Sequence, residues 1–332
     1  MDANANHVLF EPFAPRGLLR NGHAQTLAGN FLPRQNLLPP AEERLFQVTA
    51  DTQVLCHCHW QPDRRSRPAI VIVHGLEGSS DSQYVVGVGS KAWCAGMNVV
   101  RMNMRNCGGT EKLTPTLYHS GLSSDVGAVV RSLIDEEKLQ RVGIAGYSMG
   151  GNLVLKLAGE WGNSAPPEFR VAVAVSPAAD LAASAEALHL LSNRIYEWKF
   201  LTGLMRRYRR KQSLFPAIYQ EVVRFPRSIV EFDDVITARY NGFTGAQDYY
   251  SRAAAAKVVD AIAAPTLVLH AEDDPFVRLL PETRAKILAN PHVTLLETQH
   301  GGHCAFLAQP NGYDGRWAER QIVEFFLRQG MD

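Results

Sequence analysis

The stretch Arg141 to Leu157, RVGIAGYSMGGNLVLKL, constrains the fold of this chain more than any other. Val142, Gly143, Ile144 and Ala145 read as a short buried strand, and Leu153, Val154, Leu157 and Ala158 then recur at helical spacing. Between them, Gly146-Tyr147-Ser148-Met149-Gly150 has the G-x-S-x-G spacing with which a strand reverses sharply into a helix and leaves a serine hydroxyl exposed. The glycines answer a steric demand. Residues two before and two after the serine pass close to neighbouring backbone, where a Cβ would collide. A five-residue pattern recurs by chance, and an ordinary tight turn would share it, so the strand, turn and helix order is what gives it weight.

Other segments supply the rest of a parallel sheet. Ala69 to Val73, AIVIV, is a continuous apolar run of the kind a strand shows when helices cover both its faces. Met97 to Met102, Val171 to Val175, Thr266 to His270 and Val293 to Leu296 read as further strands. Helices are expected near Ser90 to Ala95, over Ser123 to Glu137 with Val126, Val129, Val130, Leu133 and Ile134 on one face, and over Pro281 to Ala289. Leu45 to Ala50 and Gln53 to Trp60 read as a hairpin. This alternation predicts an α/β fold with a mostly parallel central sheet flanked by helices.

From Ala178 to about Tyr250 the strand signal disappears, which predicts a helical cap inserted into a core made of residues 1–177 and 251–332. Leu188, Leu190, Leu191, Ile195, Trp198, Phe200 and Leu201 are apolar surface for a substrate pocket under it, or for packing. The run Arg206-Arg207-Tyr208-Arg209-Arg210-Lys211 reads as a solvated helix face, with peripheral contact to anionic lipid headgroups as its alternative. Residues 1–40 read as an irregular arm. Its polar cluster Asn21-Gly22-His23-Ala24-Gln25-Thr26 is a surface loop or, in the alternative, a segment reaching over the site.

With 332 residues and 46% hydrophobic content the chain can bury a sizeable core. Its 34 basic and 33 acidic residues give a net charge of +1, which recommends no nucleic-acid partner. The N-terminus lacks a basic region followed by an apolar one, and no apolar run reaches the roughly 18 residues of a membrane span. The five cysteines, Cys56, Cys58, Cys94, Cys107 and Cys304, are odd in number and scattered, which suits a reduced cytoplasm. Cys56-His57-Cys58-His59 crowds metal-binding side chains, but strand alternation turns the thiols and the imidazoles to opposite faces, so no metal is expected there. No cofactor is expected.

The serine needs two partners. Thr266 to His270 ends in Asp273-Asp274-Pro275-Phe276-Val277, which sets acids at a strand's carboxyl end, where open α/β sheets carry their chemistry. Asp274 is preferred over Asp273 because the hydrolase pattern places the acid three residues ahead of a valine. One helix and one strand later comes Gln299-His300-Gly301-Gly302-His303-Cys304. His303 is the expected general base and His300 the alternative, while Cys304 reads as a small packed residue. The order Ser148, Asp274, His303 is that of the α/β-hydrolases. His74-Gly75-Leu76, just after an early strand, is where such a fold places an oxyanion donor, so the backbone N–H groups of Leu76 and Met149 are assigned that task. His23, His74, Tyr147 and Trp198 are candidates for contact with substrate, although a lone histidine such as His74 is more often an anchor for its loop.

These residues give the chain a resemblance to the YheT-like α/β-hydrolases, which include bacterial hydrolases and related eukaryotic lipid esterases and acyltransferases. It lies in Asn21 to Thr26, His74 to Ser79, Met104 to Gly109, Gly146 to Gly151, Asp273 to Phe276 and His300 to His303, and above all in Phe232-Asp233-Asp234-Val235-Ile236-Thr237-Ala238-Arg239 with Tyr249-Tyr250. The resemblance implies carboxylester hydrolysis on acyl lipids or other medium-chain esters, with Ser148, Asp274 and His303 as nucleophile, acid and base. An acyltransferase of the same mechanism is the second expectation. A non-catalytic small-molecule receptor on the same scaffold is the third.

Overall fold

The computed structural model describes residues 10–221 and 224–332. The first nine residues of the expected arm therefore lie outside the described residues. One sheet holds β1 (Glu42–Thr49), β2 (Thr52–His59), β3 (Ala69–Val73), β4 (Asn98–Met102), β5 (Val142–Tyr147), β6 (Phe169–Val175), β7 (Thr266–Ala271) and β8 (Val293–Thr298). Their spatial order is β1-β2-β4-β3-β5-β6-β7-β8. The first two pairings are antiparallel, and every pairing from β4 onward is parallel. The helices are α1 (Gly22–Phe31), α2 (Gln83–Cys94), α3 (Ser123–Asp135), α4 (Met149–Trp161), α5 (Leu181–Leu188), α6 (Arg194–Leu214), α7 (Ile229–Phe232), α8 (Ala246–Ala253), α9 (Pro281–Ala289) and α10 (Trp317–Arg328).

Period-two alternation sorts the apolar run of β3. Ile70 and Ile72 join α2 and α10 in one buried cluster, with Val85, Val88, Trp317 and Phe326; Ala69, Val71 and Val73 join α3 and α4 in the other, with Val129, Leu133 and Leu153. Burying each such branched side chain stabilises the fold by about 1.5 to 3 kcal/mol. The same alternation separates the CHCH run of β2: Cys56 and Cys58 lie in the core, while His57 meets Ser80 Oγ and His59 accepts from Arg101.

Two local expectations need correction, and one helix was not anticipated. The arm is not irregular throughout: Asn21 caps α1 by accepting the N–H groups of His23 and Ala24 through its side chain. The helix before β4 begins at Gln83 rather than near Ser90. Its glycines lower helix propensity but allow close approach, because a Cβ on Gly87 would fall 2.4 Å from Glu319 Oε2 of α10. α10 was not anticipated, although Ile322, Val323, Phe325 and Phe326 give it a buried apolar side.

Among the described residues between β6 and β7 there are helices and turns but no strand. The FDDVITAR stretch continues α7 through a π-helical turn over Asp233–Ala238. Leu201, Leu204, Met205, Tyr208 and Phe232 from these helices join the cluster on the α3 and α4 side of the sheet. The basic run of α6 is only partly a solvated face. Arg206, Arg209 and Arg210 are exposed, but Arg207 turns inward, and buried Lys211 donates to the carbonyls of Glu111 and Thr114. Burial lowers the Lys211 ammonium to about 8. Among the described residues no helix is long and apolar enough to cross a membrane.

Candidate active site

The carboxyl ends of β3, β5, β6, β7 and β8 open on one rim, and the loops there hold the candidate residues. Ser148 sits between β5 and α4 with φ 55° and ψ −116°, a conformation disfavoured for a residue with a Cβ. Its N–H donates to Val175 O at 2.9 Å. A Cβ on Gly146 would lie 2.2 Å from Gly150 O, and one on Gly150 would lie 2.4 Å from His74 O. The two glycines let the strained turn pack against its own helix and against β3.

Asp274 is almost fully buried. Its Oδ1 accepts the N–H groups of Phe276 and Val277, and its Oδ2 lies 2.8 Å from His303 Nδ1. Burial pushes its pKa up, but the His303 charge and these hydrogen bonds outweigh that and hold it below the ordinary carboxylate value. Asp273 takes the other histidine: it accepts the Gly302 N–H and faces His300 Nδ1 at 3.4 Å.

Burial opposes charge on His303, yet the neighbouring Cys304 sulfur and the Asp274 carboxylate raise its pKa to about 10. His303 Nε2 faces Cys304 Sγ at 3.6 Å, and that sulfur lies 3.8 Å from Val175 O, the carbonyl that also receives Ser148 N–H. Among the described residues Ser148 Oγ makes no hydrogen bond to the ring. Cys304 packs against the core as expected, and its sulfur also faces Nε2, the imidazole nitrogen turned away from Asp274.

The loop after β3 lies against the serine, for a Cβ on Gly75 would come 3.1 Å from Ser148 Cβ. Met149 opens α4, so its N–H has no intrahelical acceptor. Leu76 N–H likewise donates to no acceptor among the described residues. Leu76, Ser148 and Met149 all border a cavity of about 900 Å³, counting its mouth. Leu188, Phe200, Leu204, Phe232 and Phe276 supply apolar wall.

Residues 68–310 match the family described as the alpha/beta hydrolase fold. YheT of Escherichia coli K12, an esterase by its name, is 32% identical, with 94% of this chain and 92% of YheT covered. The chain belongs to the α/β-hydrolase family, in its YheT-like branch. A monoacylglycerol lipase of Saccharomyces cerevisiae is 28% identical to this α/β-hydrolase, covering 93% of the chain and 79% of the lipase. The mouse phospholipase ABHD3 is 30% identical, covering 90% and 74%. Among solved structures, 2,6-dihydroxy-pseudo-oxynicotine hydrolase superposes with a TM-score of 0.59 at 17% identity, over 93% of this chain and 72% of that one. Est1E from Butyrivibrio proteoclasticus gives 0.55 at 16%, over 87% and 99%. These two likenesses speak to the fold.

Four candidate contacts of this α/β-hydrolase stand elsewhere than expected. His74 is fully buried; its Nδ1–H donates to Gly75 O and its Nε2 accepts Met104 N–H. Burial lowers its pKa to about 4, so it anchors its loop as a neutral ring and does not reach the cavity. Tyr147 points to the opposite face of the sheet, where it packs on Tyr84 at 4.5 Å between ring centroids. Trp198 is 65% exposed, as its helix face turns to solvent. His23 is absent from the cavity wall and instead bridges α1 to α6 through Tyr196 OH at 3.2 Å. Of the apolar residues expected to make the pocket, Leu188 and Phe200 do so, while Leu191 and Ile195 are exposed and Leu201 is in the core.

The cavity also has polar members that sequence reading did not single out. Asp233 accepts from Thr237 and Tyr250 hydroxyls at 2.7 Å each, and burial pushes its carboxyl up to about 6. His119 is lowered to about 3 by burial and by the charges of Arg105, Arg252 and Lys156. The FDDVITAR and Tyr249-Tyr250 patterns carried that signal without saying which way the side chains would face.

Proposed function

We propose that the protein is a serine carboxylesterase for medium-chain acyl esters or acyl lipids, working through Ser148, His303 and Asp274. That it is an esterase- or lipase-type hydrolase follows from its family. The observation that carries the finer reading is that Ser148 and two unpaired N–H groups border a mainly apolar cavity, next to a histidine whose far nitrogen is held by a buried carboxylate. The helices between β6 and β7 act as the cap over that cavity, and the relatives' names, a monoacylglycerol lipase and a phospholipase, support an acyl-lipid substrate.

In the neutral ring Asp274 Oδ2 accepts a hydrogen bond from His303 Nδ1–H, which leaves Nε2 able to receive a proton. As Ser148 Oγ attacks the ester carbonyl, its proton passes to Nε2 and the carbonyl electron pair moves to oxygen. The N–H groups of Leu76, in the loop after β3, and of Met149, at the start of α4, stabilise that oxyanion, and one such donor is typically worth about 3 to 4 kcal/mol. The alcohol leaves with the proton from His303. Water then repeats the steps and frees the acid. The gap between His303 and Ser148 closes when substrate fills the site, as catalytic hydrogen bonds do. Five free cysteines, three of them buried, fit a reducing cytoplasm as the place of action.

Labelling with a fluorophosphonate should give one adduct, lost in Ser148→Ala. A series of p-nitrophenyl esters should favour chains longer than acetyl. An unlabelled wild-type protein would point to a receptor, and acylated alcohol outrunning free acid in mostly aqueous buffer would point to an acyltransferase.

A further inference from the structure

Gly75, Leu76, Glu77 and Gly78 form a tight turn closed by the Gly78 N–H to Gly75 O bond at 3.0 Å. Its third residue has φ 59°, as a type II turn requires, and glycine would ordinarily stand there. A glutamate in this conformation persists only when its surroundings hold it. They do so through the side chain. Glu77 Oε1 accepts from Tyr118 OH at 2.8 Å and from Arg207 Nε at 2.7 Å, and Tyr118 OH in turn accepts the Glu77 N–H at 3.3 Å.

Arg207 comes from α6, part of the helical cap, and both partners of the pair are nearly buried. The same guanidinium donates to Asn106 O, in the loop after β4, and lies 5.7 Å from the Tyr118 ring centre. One turn earlier on α6, Gly203 leaves room for the carboxylate: a Cβ there would sit 2.0 Å from Glu77 Oε2 and 2.7 Å from Glu77 Cδ. The three atoms nearest to such a Cβ all belong to Glu77. The cap helix is thus shaped around this one side chain.

We propose that Glu77 is a positioning residue: clasped by Arg207 and Tyr118 over Gly203, it fixes the turn that aims the Leu76 N–H, so that the cap sets the strength of the oxyanion site. This rests on the reading of Leu76 as an oxyanion donor. A merely structural ion pair would tie the cap down and change stability, whereas a positioning pair changes binding of the tetrahedral state and leaves binding of the acyl chain alone.

Gly203→Ala separates the two. Alanine is the better helix former, so the cap should be at least as stable, while its methyl displaces the Glu77 carboxylate. An alkyl trifluoromethyl ketone is the probe. Ser148 Oγ adds to its carbonyl carbon, the proton goes to His303, and the electron pair stays on the oxygen facing Leu76 and Met149. The matching alkyl alcohol fills the same cavity with no oxyanion. In Gly203→Ala, ketone affinity and kcat should fall together by about tenfold. Alcohol affinity and KM should hold within twofold, and the melting temperature should not drop. Arg207→Met should behave alike in kcat and ketone affinity, with Arg207→Lys recovering part of the loss. Ketone affinity and kcat within twofold of wild type in Gly203→Ala would overturn the proposal. Equal losses for ketone and alcohol would also overturn it, as damage to the pocket. A wild-type enzyme that forms no ketone adduct would instead remove the serine reading itself, and this inference with it.

Discussion

Thr26 Oγ1 accepts the backbone N–H of His303 at 2.9 Å, across 277 positions of the chain. The same hydroxyl donates to Gly22 O, one turn back in α1. Gln25, its fully buried neighbour, donates to Leu307 O and accepts Leu307 N–H, so α1 grips the histidine loop at two points. Thr26→Val keeps the shape and removes the acceptor, leaving a part-buried N–H unpaired at a cost of about 1 to 3 kcal/mol. Steady-state assays should show kcat down by about tenfold with KM little changed, as expected for a displaced base, and Thr26→Ser should restore it. Full activity in the valine variant would mean that other contacts suffice to hold the loop.

The two aspartates at the end of β7 should part company on mutation. Asp274→Asn leaves His303 with the wrong tautomer and should lower kcat by about 10⁴-fold. Asp273→Asn loosens only the Gly302 and His300 contacts, and its loss should stay within roughly tenfold. Comparable losses in both variants would contradict the assignment.

The pH profile follows from the His303 pKa, raised from 6.5 to about 10. The proposed base acts when neutral, so kcat/KM should rise with pH, with a midpoint above 6.5, and the midpoint should fall in Cys304→Ala and in Asp274→Asn. Stability runs the other way. Between the unfolded and folded values the native state binds more protons, so the contribution of the charged pair is whole below about 6.5 and fades as pH climbs towards about 10. Thermal melts across that window should show a decline that Asp274→Asn reduces.

Gly150→Ala places a methyl 2.4 Å from His74 O and 2.5 Å from Val73 O, both backbone atoms that cannot step aside. The loss should be about 3 kcal/mol or more, at the top of the range for overpacking. Chemical denaturation would measure it. A variant as stable as wild type would show that the turn has more slack than its geometry implies.

Filling the cavity should change chain-length preference without touching the chemistry. Leu204→Trp adds bulk to the wall. It should lower kcat/KM for a dodecanoyl ester by about tenfold while the acetyl ester is unaffected, on the scale of a few methylene contacts. A uniform loss across the series would indicate that this wall does not bound the acyl chain.

Sequence alone determined the parts of this protein that are written in neighbouring residues. Uninterrupted apolar runs named the strands, glycines two positions either side of Ser148 announced a turn too tight for a Cβ, and their order named the sheet. Tertiary structure decided what depends on partners far along the chain. It chose which aspartate meets which histidine, turned Tyr147 away from the cavity and Trp198 to solvent, and made a clasp of the Asn21 to Thr26 stretch. The physical reason is the range over which each signal acts. Periodicity reports which face of an element is buried, but whether a polar side chain on a loop finds Thr26, Arg207 or water is settled only when distant elements pack, and no local pattern records that choice.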